Sequence, residues 1–190
     1  MNKLIIFEGI DATGKTTLAK RVAEELNGLY YKTPPPEFRS RCIEIDKNGV
    51  VYSPERFRLY LKCIYYSASQ IQKILKNNTV VVDRWIWTTL AYHFAHNPKI
   101  YEQWRNNWQS LICKLPEPNK SILLFVEEVE WLRRITKRGI DAPDAIVINN
   151  PDIRKKIFDF YQQLNPSFCL VENAKDIETA VKNVLSLIKK

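Results

Sequence analysis

Short hydrophobic runs alternate along this chain with longer segments in which hydrophobic residues recur every three or four positions. The short runs have the length and composition of strands that are buried on both faces. The five predicted strands are residues 4–7, 29–31, 80–82, 122–126 and 168–171. The predicted helices are a segment ending at Gly28, residues 54–75, 88–96 and 101–115, a segment ending at 138, and residues 152–164 and 177–188.

Proline and glycine mark several boundaries between these segments. The prolines at 34–36 end the second strand, and a run of three prolines is not expected to be helical. Ser53 followed by Pro54 is a favourable helix start, because serine caps the first turn and proline suits the first helical position. Gly139 is expected to begin a loop.

The alternation of strands and helices predicts an α/β protein with a parallel sheet that is covered by helices on both faces. A chain of 190 residues is long enough for one domain with its own core, and no Gly/Ser-rich or Pro-rich linker divides it. Ligands of such sheets bind at the carboxyl ends of the strands. The first and third strands end in charged motifs, at Glu8 and Asp83, so the functional site is expected there.

The net charge of +8 is compatible with two kinds of partner. Basic proteins bind nucleic acids, but arginines and lysines also gather around small polyphosphate ligands. The charges are dispersed along the chain except at 133–138, and the chain also contains a phosphate-binding loop. A small nucleotide is therefore favoured over nucleic acid as the partner.

Cysteine content and hydropathy exclude other classes of protein. The four cysteines are isolated and only two histidines accompany them, so a zinc site is not expected. No hydrophobic run approaches the ~18 residues that a membrane span requires. The first hydrophobic run is too short for a signal peptide, and a cytoplasmic location is expected.

The segment GIDATGKT at 9–16 fits the phosphate-loop pattern GxxxxGK[ST] at every fixed position, between a predicted strand and a predicted helix. Gly9 and Gly14 allow backbone angles that direct successive N–H groups inward, where the helix N-terminus adds positive charge. Lys15 is expected to contact the β- and γ-phosphates of ATP, and the Thr16 hydroxyl is expected to bind Mg²⁺. The chain is therefore predicted to bind Mg-ATP.

Motifs around this loop resemble those of the thymidylate kinase family. The segment at 7–17 is similar to the FEGxDGxGKTT opening of that family, and DRWIWTTLAYH at 83–93 is similar to its DRYxxSxxAYQ segment at unchanged spacing. LRRITKRG at 132–139 resembles the LxRIxxRG start of the family's lid, and VENA at 171–174 resembles its VIDA turn beside the adenine. The resemblance covers nearly the whole chain.

The resemblance implies a fold and a reaction. The fold is one three-layer P-loop kinase domain over residues 1–190, with a parallel five-stranded sheet in the order 2-3-1-4-5 and a short lid at about 133–150. The reaction is phosphoryl transfer from ATP to a nucleoside monophosphate, with dTMP as the leading substrate. ATP and Mg²⁺ are the implied cofactors, and a homodimer is left open.

The resemblance also implies roles for individual residues. Lys15, Arg84 and Arg138 would be catalytic, with Arg84 binding the acceptor phosphate, while Thr16 and Asp83 would hold Mg²⁺. The residues implied to bind ATP are Gly9, Ala12, Thr13, Gly14, Lys15, Thr16, Thr17, Arg134 and Ala174. Those implied to bind the acceptor are Asp11 at the sugar 3′-hydroxyl, Thr33, Arg39, Tyr60, Arg84, Thr88 near the base, and Tyr92 where a 2′-hydroxyl would lie.

Two departures from the family pattern fall on the acceptor side. Thr-Pro-Pro-Pro at 33–36 lacks the arginine of the family's TREP motif, for which Arg39 or Arg41 could substitute. The stretch at 57–64 offers Tyr60 for stacking on the base but no arginine at the position that contacts the thymine carbonyl. Because stacking tolerates any base, weaker discrimination among dTMP, dUMP and dCMP is predicted, within about a hundredfold.

A third departure concerns catalytic arginines. Ala12 stands where one branch of the family has an arginine, and residues 139–150 contain no basic residue where the other branch has its lid arginines. The residues of the donor half of the site therefore match the family pattern, whereas those of the acceptor half depart from it.

Other functions stay open from the residues alone. A kinase of a nucleoside or of another small molecule would need a carboxylate base near the acceptor hydroxyl, for which Glu8 and Asp83 are the candidates. A regulatory P-loop protein would show salt-sensitive binding to nucleic acid and no acceptor-dependent turnover. A guanine-specific GTPase is disfavoured, because Asn-Lys-Ser at 119–121 lacks the aspartate of that class.

Overall fold

The structure, a computed structural model, describes residues 2–48, 52–140, 142–163, 168–173 and 176–189. Ala174, implied above to bind ATP, lies outside the described residues. No helix in the described part of the chain is both long enough and apolar enough to cross a lipid bilayer.

Five parallel strands form one sheet at the centre of the molecule. They are β1 (Leu4–Glu8), β2 (Leu29–Lys32), β3 (Val80–Asp83), β4 (Lys120–Phe125) and β5 (Cys169–Glu172). Their order is β2-β3-β1-β4-β5, as predicted. The central strand β1 is buried along its whole length, which agrees with its unbroken hydrophobic sequence. Phe7 pairs with Asp83 of β3 and with Ile122 of β4, so the ends of β1 and β3 lie side by side.

Helices cover both faces of the sheet. They are α1 (Lys15–Glu25), α2 (Pro36–Asn48), α3 (Pro54–Leu75), α4 (Ile86–His96), α5 (Pro98–Gln103), α6 (Arg105–Ile112), α7 (Glu128–Arg138), α8 (Ala142–Asn149), α9 (Pro151–Gln163) and α10 (Ile177–Lys189). Leu4 and Ile6 pack into a core cluster that contains α3, α4 and α9, whereas Ile5 and Phe7 face α1 and α10. The predicted three-layer α/β fold is confirmed.

Three sequence-based boundaries are wrong. Pro36 begins α2 instead of excluding a helix, because proline lacks only an N–H group that is unpaired anyway at a first helical position. The helix predicted over 101–115 is divided at Trp104 into α5 and α6. The loop predicted after Gly139 contains α8, which the buried side chain of Val147 anchors to the core.

The predicted start of α3 is confirmed. The Ser53 side chain accepts a hydrogen bond from the backbone N–H of Arg56 at 3.2 Å, and Pro54 occupies the first turn. This cap fixes where the long helix begins, and so which of its side chains face the ends of β1 and β3.

Candidate active site

The loop between β1 and α1 depends on two glycines. Gly9 has a φ of +134° and Gly14 a φ of +87°, conformations that L side chains rarely adopt. A Cβ atom on Gly9 would also collide with the carbonyl oxygen of Leu124 in β4. Gly14 forms the N-cap of α1. Such a loop at a helix N-terminus presents backbone N–H groups to an anion.

Lys15 lies folded into this loop. Its ammonium group donates a hydrogen bond to the carbonyl of Ile10 at 2.5 Å and approaches the Thr13 hydroxyl at 3.4 Å. Burial, and next the positive charge of Arg84, lower the pKa of Lys15 to about 7 although nearby carboxylates oppose this shift. Phosphate groups in the loop would favour the charged form of Lys15.

A cavity of ≈ 310 Å³ opens in front of the loop. It is lined by Asp11, Ala12, Gly14, Lys15, Thr16, Thr17, Lys32, Arg84, Arg134 and Arg138. We call it the donor cavity. Two further loop residues are turned away from the cavity: Gly9 lies close to the Leu124 carbonyl, and the buried Thr13 hydroxyl donates to the carbonyl of Ile10 at 2.9 Å. Apart from Ala174, the residues implied to bind ATP thus form or support one cavity.

Asp83, at the end of β3, meets Thr16 at the edge of the donor cavity. Its Oδ2 accepts hydrogen bonds from the Thr16 hydroxyl at 2.6 Å and from the Tyr30 hydroxyl at 2.9 Å. Its Oδ1 is buried and has no hydrogen-bond partner among the described residues. No cluster of three or more His, Cys, Asp or Glu in the described ranges could hold a metal by itself. Mg²⁺ needs only one or two such protein oxygens when phosphates and water complete its shell, so these two residues fit that ion.

A second cavity, of ≈ 190 Å³, adjoins the first at Asp11 and Arg84, which line both. It is lined by Asp11, Pro34, Asp46, Tyr52, Arg56, Tyr60, Arg84, Thr88, Thr89, Tyr92 and Asp144. We call it the acceptor cavity. Five residues implied to bind the acceptor are therefore brought together.

Two other residues from that set are not in the acceptor cavity. Arg39 is exposed on α2 and lines neither cavity, and Arg41, the alternative to it, is exposed as well. Thr33 is buried behind the cavity, where its hydroxyl donates to the backbone carbonyl of Arg84 at 2.8 Å. Thr33 thus supports Arg84. Neither Arg39 nor Arg41 is placed to replace the missing arginine of the TREP motif.

Arg84 stands between the two cavities in an unusual backbone conformation. Its φ is +72°, in the left-handed region that non-glycine residues rarely occupy. The backbone N–H of Arg84 donates a hydrogen bond to the carbonyl of Phe7 at 3.0 Å, and the Thr33 hydroxyl donates to the carbonyl of Arg84. Its guanidinium forms an ion pair with Asp11. Strained residues held this firmly by their neighbours concentrate at functional sites.

Asp11 is held by groups from three directions. Its carboxylate pairs with Arg84, lies 3.6 Å from Arg138, and accepts a hydrogen bond from the Tyr92 hydroxyl at 3.1 Å. Burial alone would raise the pKa of Asp11, but the charges of Arg84, Lys15 and Arg138 hold it well below its usual range. The indole N–H of Trp131 donates to the carbonyl of Asp11 at 2.7 Å. Asp11 is therefore ionised and fixed.

Glu8, which the sequence suggested as a candidate base, accepts hydrogen bonds that hold the start of α4. Its buried carboxyl group accepts hydrogen bonds from the backbone N–H groups of Trp85 (3.1 Å) and Thr88 (3.3 Å) and from the Thr88 hydroxyl. Burial raises the pKa of Glu8 to about 7 despite these donors and the charge of Arg84. Glu8 thus caps the first turn of α4 and links that helix to β1.

Arg56 was not selected from the sequence, yet it is a central part of the acceptor cavity. It is buried on α3, and its Nε donates to Asp46 at 2.7 Å. The guanidinium lies 4.5 Å from the ring centroid of Tyr52 and 4.3 Å from that of Tyr60. Asp46 also accepts from the Tyr60 hydroxyl at 2.7 Å. Since Arg56 and Tyr60 are four residues apart in one helix, selecting Tyr60 could have identified Arg56 too.

Comparisons with known sequences identify one family. The family model described as thymidylate kinase matches residues 7–184. A probable thymidylate kinase of Methanococcus maripaludis is 31% identical over 166 residues, which is 86% of this chain and 78% of the relative. One from Sulfurisphaera tokodaii is 28% identical over 199 residues, covering 99% of this chain and 96% of the relative.

Solved structures show the same fold. A thymidylate kinase of Candida albicans matches with a TM-score of 0.78 at 19% identity, over 99% of this chain and 91% of that one. One from Ehrlichia chaffeensis matches with a TM-score of 0.70 at 18% identity, over 100% and 99%. At these identities the structures establish the fold, while the sequence matches establish the family. The chain belongs to the thymidylate kinase family of P-loop enzymes, which phosphorylate dTMP to dTDP at the expense of ATP.

Proposed function

We propose that this chain transfers the γ-phosphoryl group of ATP to dTMP, and that the two adjoining cavities hold the two nucleotides. The observation that carries the proposal is the position of Arg84 at the junction between the phosphate loop and the acceptor cavity. An oxygen of the acceptor phosphate would attack the γ-phosphorus there, and the β–γ bridging oxygen would leave with ADP. Such a transfer is catalysed by positioning and by charge neutralisation.

On the donor side, the loop N–H groups and Lys15 would hold the β- and γ-phosphates. Arg134 and Arg138 of α7 line the same cavity and would add positive charge around the transferred group. Thr16 and Asp83 are the residues that would hold Mg²⁺. The ion would neutralise charge on the β- and γ-phosphate oxygens.

On the acceptor side, Arg84 would bind the phosphate of dTMP. Its guanidinium is half-buried and paired with Asp11, so its direction is fixed before the substrate arrives. Asp11 would accept a hydrogen bond from the sugar 3′-hydroxyl. Tyr92 is bonded to Asp11 through its hydroxyl, which would place its ring beside the sugar carbon where a ribonucleotide carries its 2′-hydroxyl.

For the base, Arg56 supplies what the sequence comparison found missing. Its Nε donates to Asp46, and its guanidinium lies over the rings of Tyr52 and Tyr60. The terminal nitrogens have no hydrogen-bond partner among the described residues, and the side chain lines the acceptor cavity. A planar donor edge of this kind suits a carbonyl oxygen, as at position 4 of thymine, and disfavours an amino group there.

The alternative of a nucleoside kinase is less well supported. A nucleoside hydroxyl must lose a proton, so that reaction would need a free carboxylate base in the acceptor cavity. Neither Glu8 nor Asp83 lines the acceptor cavity. Glu8 accepts hydrogen bonds from the first turn of α4, and Asp83 lies against Thr16 at the edge of the donor cavity. A phosphate acceptor needs no such base, which favours a monophosphate.

The proposal is tested by measuring ADP release from Mg-ATP with a panel of nucleosides and nucleoside monophosphates. We expect turnover with dTMP and none above background with thymidine. Turnover with thymidine alone would support the nucleoside kinase. ATP hydrolysis that is independent of any acceptor would support a regulatory P-loop protein.

A further inference from the structure

Two cysteines from different helices meet where α2 packs on α3. Cys42 of α2 and Cys63 of α3 are both buried, and their sulfur atoms lie 3.8 Å apart. Both thiols are free. Bonded sulfur atoms lie ~2 Å apart, so a small further approach of the two side chains would join α2 to α3 through a disulfide.

The packing of α2 on α3 depends on few buried residues. Within the part of α2 that the structure describes, Cys42 is the only buried residue. It packs with Leu59 and Cys63 in a small cluster that is separate from the two core clusters beside the sheet. Elements with so few buried contacts open locally without unfolding of the whole domain. Such an opening of α2 exposes both thiols to a small solute.

The two thiols differ in reactivity. Their mutual hydrogen bond lowers the pKa of Cys42, although burial and the charge of Asp46 oppose this shift, and the same bond raises the pKa of Cys63. The thiolate is the nucleophilic form of cysteine and the form that peroxides oxidise. Cys42 is therefore the thiol that reacts first, and Cys63 lies in contact with it as the second partner.

The cysteine pair lies one helical turn from the residues that hold Arg56 in the acceptor cavity. Asp46 follows Cys42 by one turn of α2, and Tyr60 precedes Cys63 by one turn of α3, so each shares a helix face with its cysteine. Asp46 accepts hydrogen bonds from Arg56 and from the Tyr60 hydroxyl, each at 2.7 Å. A bond that draws α2 towards α3 at the cysteines would therefore displace the carboxylate that fixes Arg56.

We propose that Cys42 and Cys63 form a reversible disulfide that weakens acceptor binding, with a hydroperoxide as the oxidant. The Cys42 thiolate attacks one peroxide oxygen and the O–O bond breaks, which leaves a sulfenic acid and a hydroxide that takes up the proton lost by Cys42. The Cys63 sulfur then attacks the sulfenic sulfur, the S–O bond breaks, and the Cys63 proton leaves with that oxygen as water. Two thiols are oxidised and one hydrogen peroxide is reduced to two waters. The effect on the acceptor site rests on the proposed function of that site.

Treatment of the purified protein with hydrogen peroxide tests the pair. Peptide mapping by mass spectrometry should find a disulfide between Cys42 and Cys63. The KM for dTMP should rise about tenfold, as expected for loss of one hydrogen bond to a charged group, with less than about a twofold change in the Kd for ATP. Dithiothreitol should reverse both the bond and the change in KM. Cys42→Ser should show neither response to peroxide, whereas Cys113→Ser, which removes an exposed cysteine, should respond like the wild type.

Three outcomes would overturn the inference. One is the absence of the disulfide under conditions that fully oxidise the exposed Cys113. Another is a disulfide that leaves the KM for dTMP unchanged, and the third is an equal rise in KM when peroxide is added to Cys42→Ser. If Cys42→Ser does not fold, Cys63→Ser serves, because it should stop at a sulfenic acid on Cys42 that dimedone labels. Mass spectrometry detects the disulfide even if dTMP is not phosphorylated, so failure of the proposed function is distinguished from failure of the thiol pair.

Discussion

The donor and acceptor cavities meet at Arg84 but are built from different parts of the chain. The donor cavity is formed mainly by one continuous segment, residues 9–17, and by backbone groups whose direction depends on two glycines. The acceptor cavity is formed by side chains from separate elements, including α3, α4 and α8. A site made of local backbone can be recognised from a short motif, whereas a site made of distant side chains becomes visible only in the folded chain.

The two cavities also differ in how their charges are balanced. In the acceptor cavity each arginine has a carboxylate partner: Arg56 pairs with Asp46, and Arg84 pairs with Asp11. These pairs hold the guanidinium groups in fixed directions. In the donor cavity Arg134 and Arg138 are paired in the same way, with Glu130 and Asp144, but the hydrogen bonds of Lys15 within the described ranges go to backbone and hydroxyl oxygens, so a triphosphate would supply its main counter-charge.

The largest effect is expected in the donor half. Lys15→Ala should lower kcat with dTMP by a factor on the order of 10² to 10³, because a positioned cation is lost where charge develops in the transition state. Single-turnover rates at saturating ATP would measure it, with circular dichroism to verify the fold. Lys20→Ala, an exposed change in the same helix, is the control. An unchanged rate in a folded Lys15→Ala protein would refute the assignment of the phosphate loop.

The next effect should be confined to the acceptor half. Arg84→Ala should lower kcat/KM for dTMP about a hundredfold, since a charge-assisted contact to a phosphate contributes about 2–3 kcal/mol. ATP affinity, measured by titration calorimetry, should change by less than about threefold if Arg84 serves the acceptor. Arg39→Ala removes an exposed arginine and is the matched control. Equal losses of ATP and dTMP affinity would place Arg84 in the donor site.

The sequence predicted the parts of this molecule that depend on local chemistry. The buried strands follow from their hydrophobic runs, and Ser53 with Pro54 predicts the start of α3. The phosphate loop follows from its glycines, because few other residues adopt those backbone angles. Arg84 follows from its place after a buried strand.

The parts that were missed depend on tertiary contacts. Helix α2 was not predicted because proline is unfavourable inside a helix, but Pro36 stands at the first helical position, where proline is suitable. The role of Glu8 could not be seen, because the N–H groups it accepts from belong to a helix 77 to 80 residues further along the chain. Arg56 was overlooked because its ion pair with Asp46 forms only when α2 packs on α3.

If Arg56 binds the base as proposed, we expect a stronger preference for thymine over cytosine than stacking on Tyr60 alone would give. Arg56→Lys keeps the charge beside Asp46 but loses the planar donor edge, so the ratio of kcat/KM for dTMP to that for dCMP should fall about tenfold. Arg58→Lys, on the exposed side of the same helix, is the control. Steady-state kinetics with the two acceptors would measure the ratio. An unchanged ratio would mean that another group recognises the base.

The smallest effect on catalysis is expected at Glu8, which is buried and lines neither cavity. If Glu8 caps α4 and does not act as a base, Glu8→Gln should change kcat with dTMP by less than about fivefold, whereas loss of a general base would cost about a hundredfold or more. Glutamine keeps a carbonyl oxygen for the N–H groups of Trp85 and Thr88. A hundredfold loss would show that Glu8 acts as a general base and would favour the alternative function as a nucleoside kinase.

Stability against pH gives an independent measure of the same residue. Because burial raises the pKa of Glu8 from 4.5 to about 7, the folded state holds the proton more tightly than the unfolded state does. The stabilisation is therefore complete below about pH 4.5 and is lost as the pH rises through about 7, with a span of about 3 kcal/mol at most. Burial lowers the pKa of His93 to about 3 and that of His96 to about 4, which makes stability rise with pH over part of this range, so the measure is the difference in the free energy of urea unfolding between the wild type and Glu8→Gln. That difference should decline between about pH 5 and 8. Glu117→Gln, which removes an exposed carboxylate, should follow the wild type, and a difference that does not change with pH would show that the donors of α4 keep Glu8 ionised.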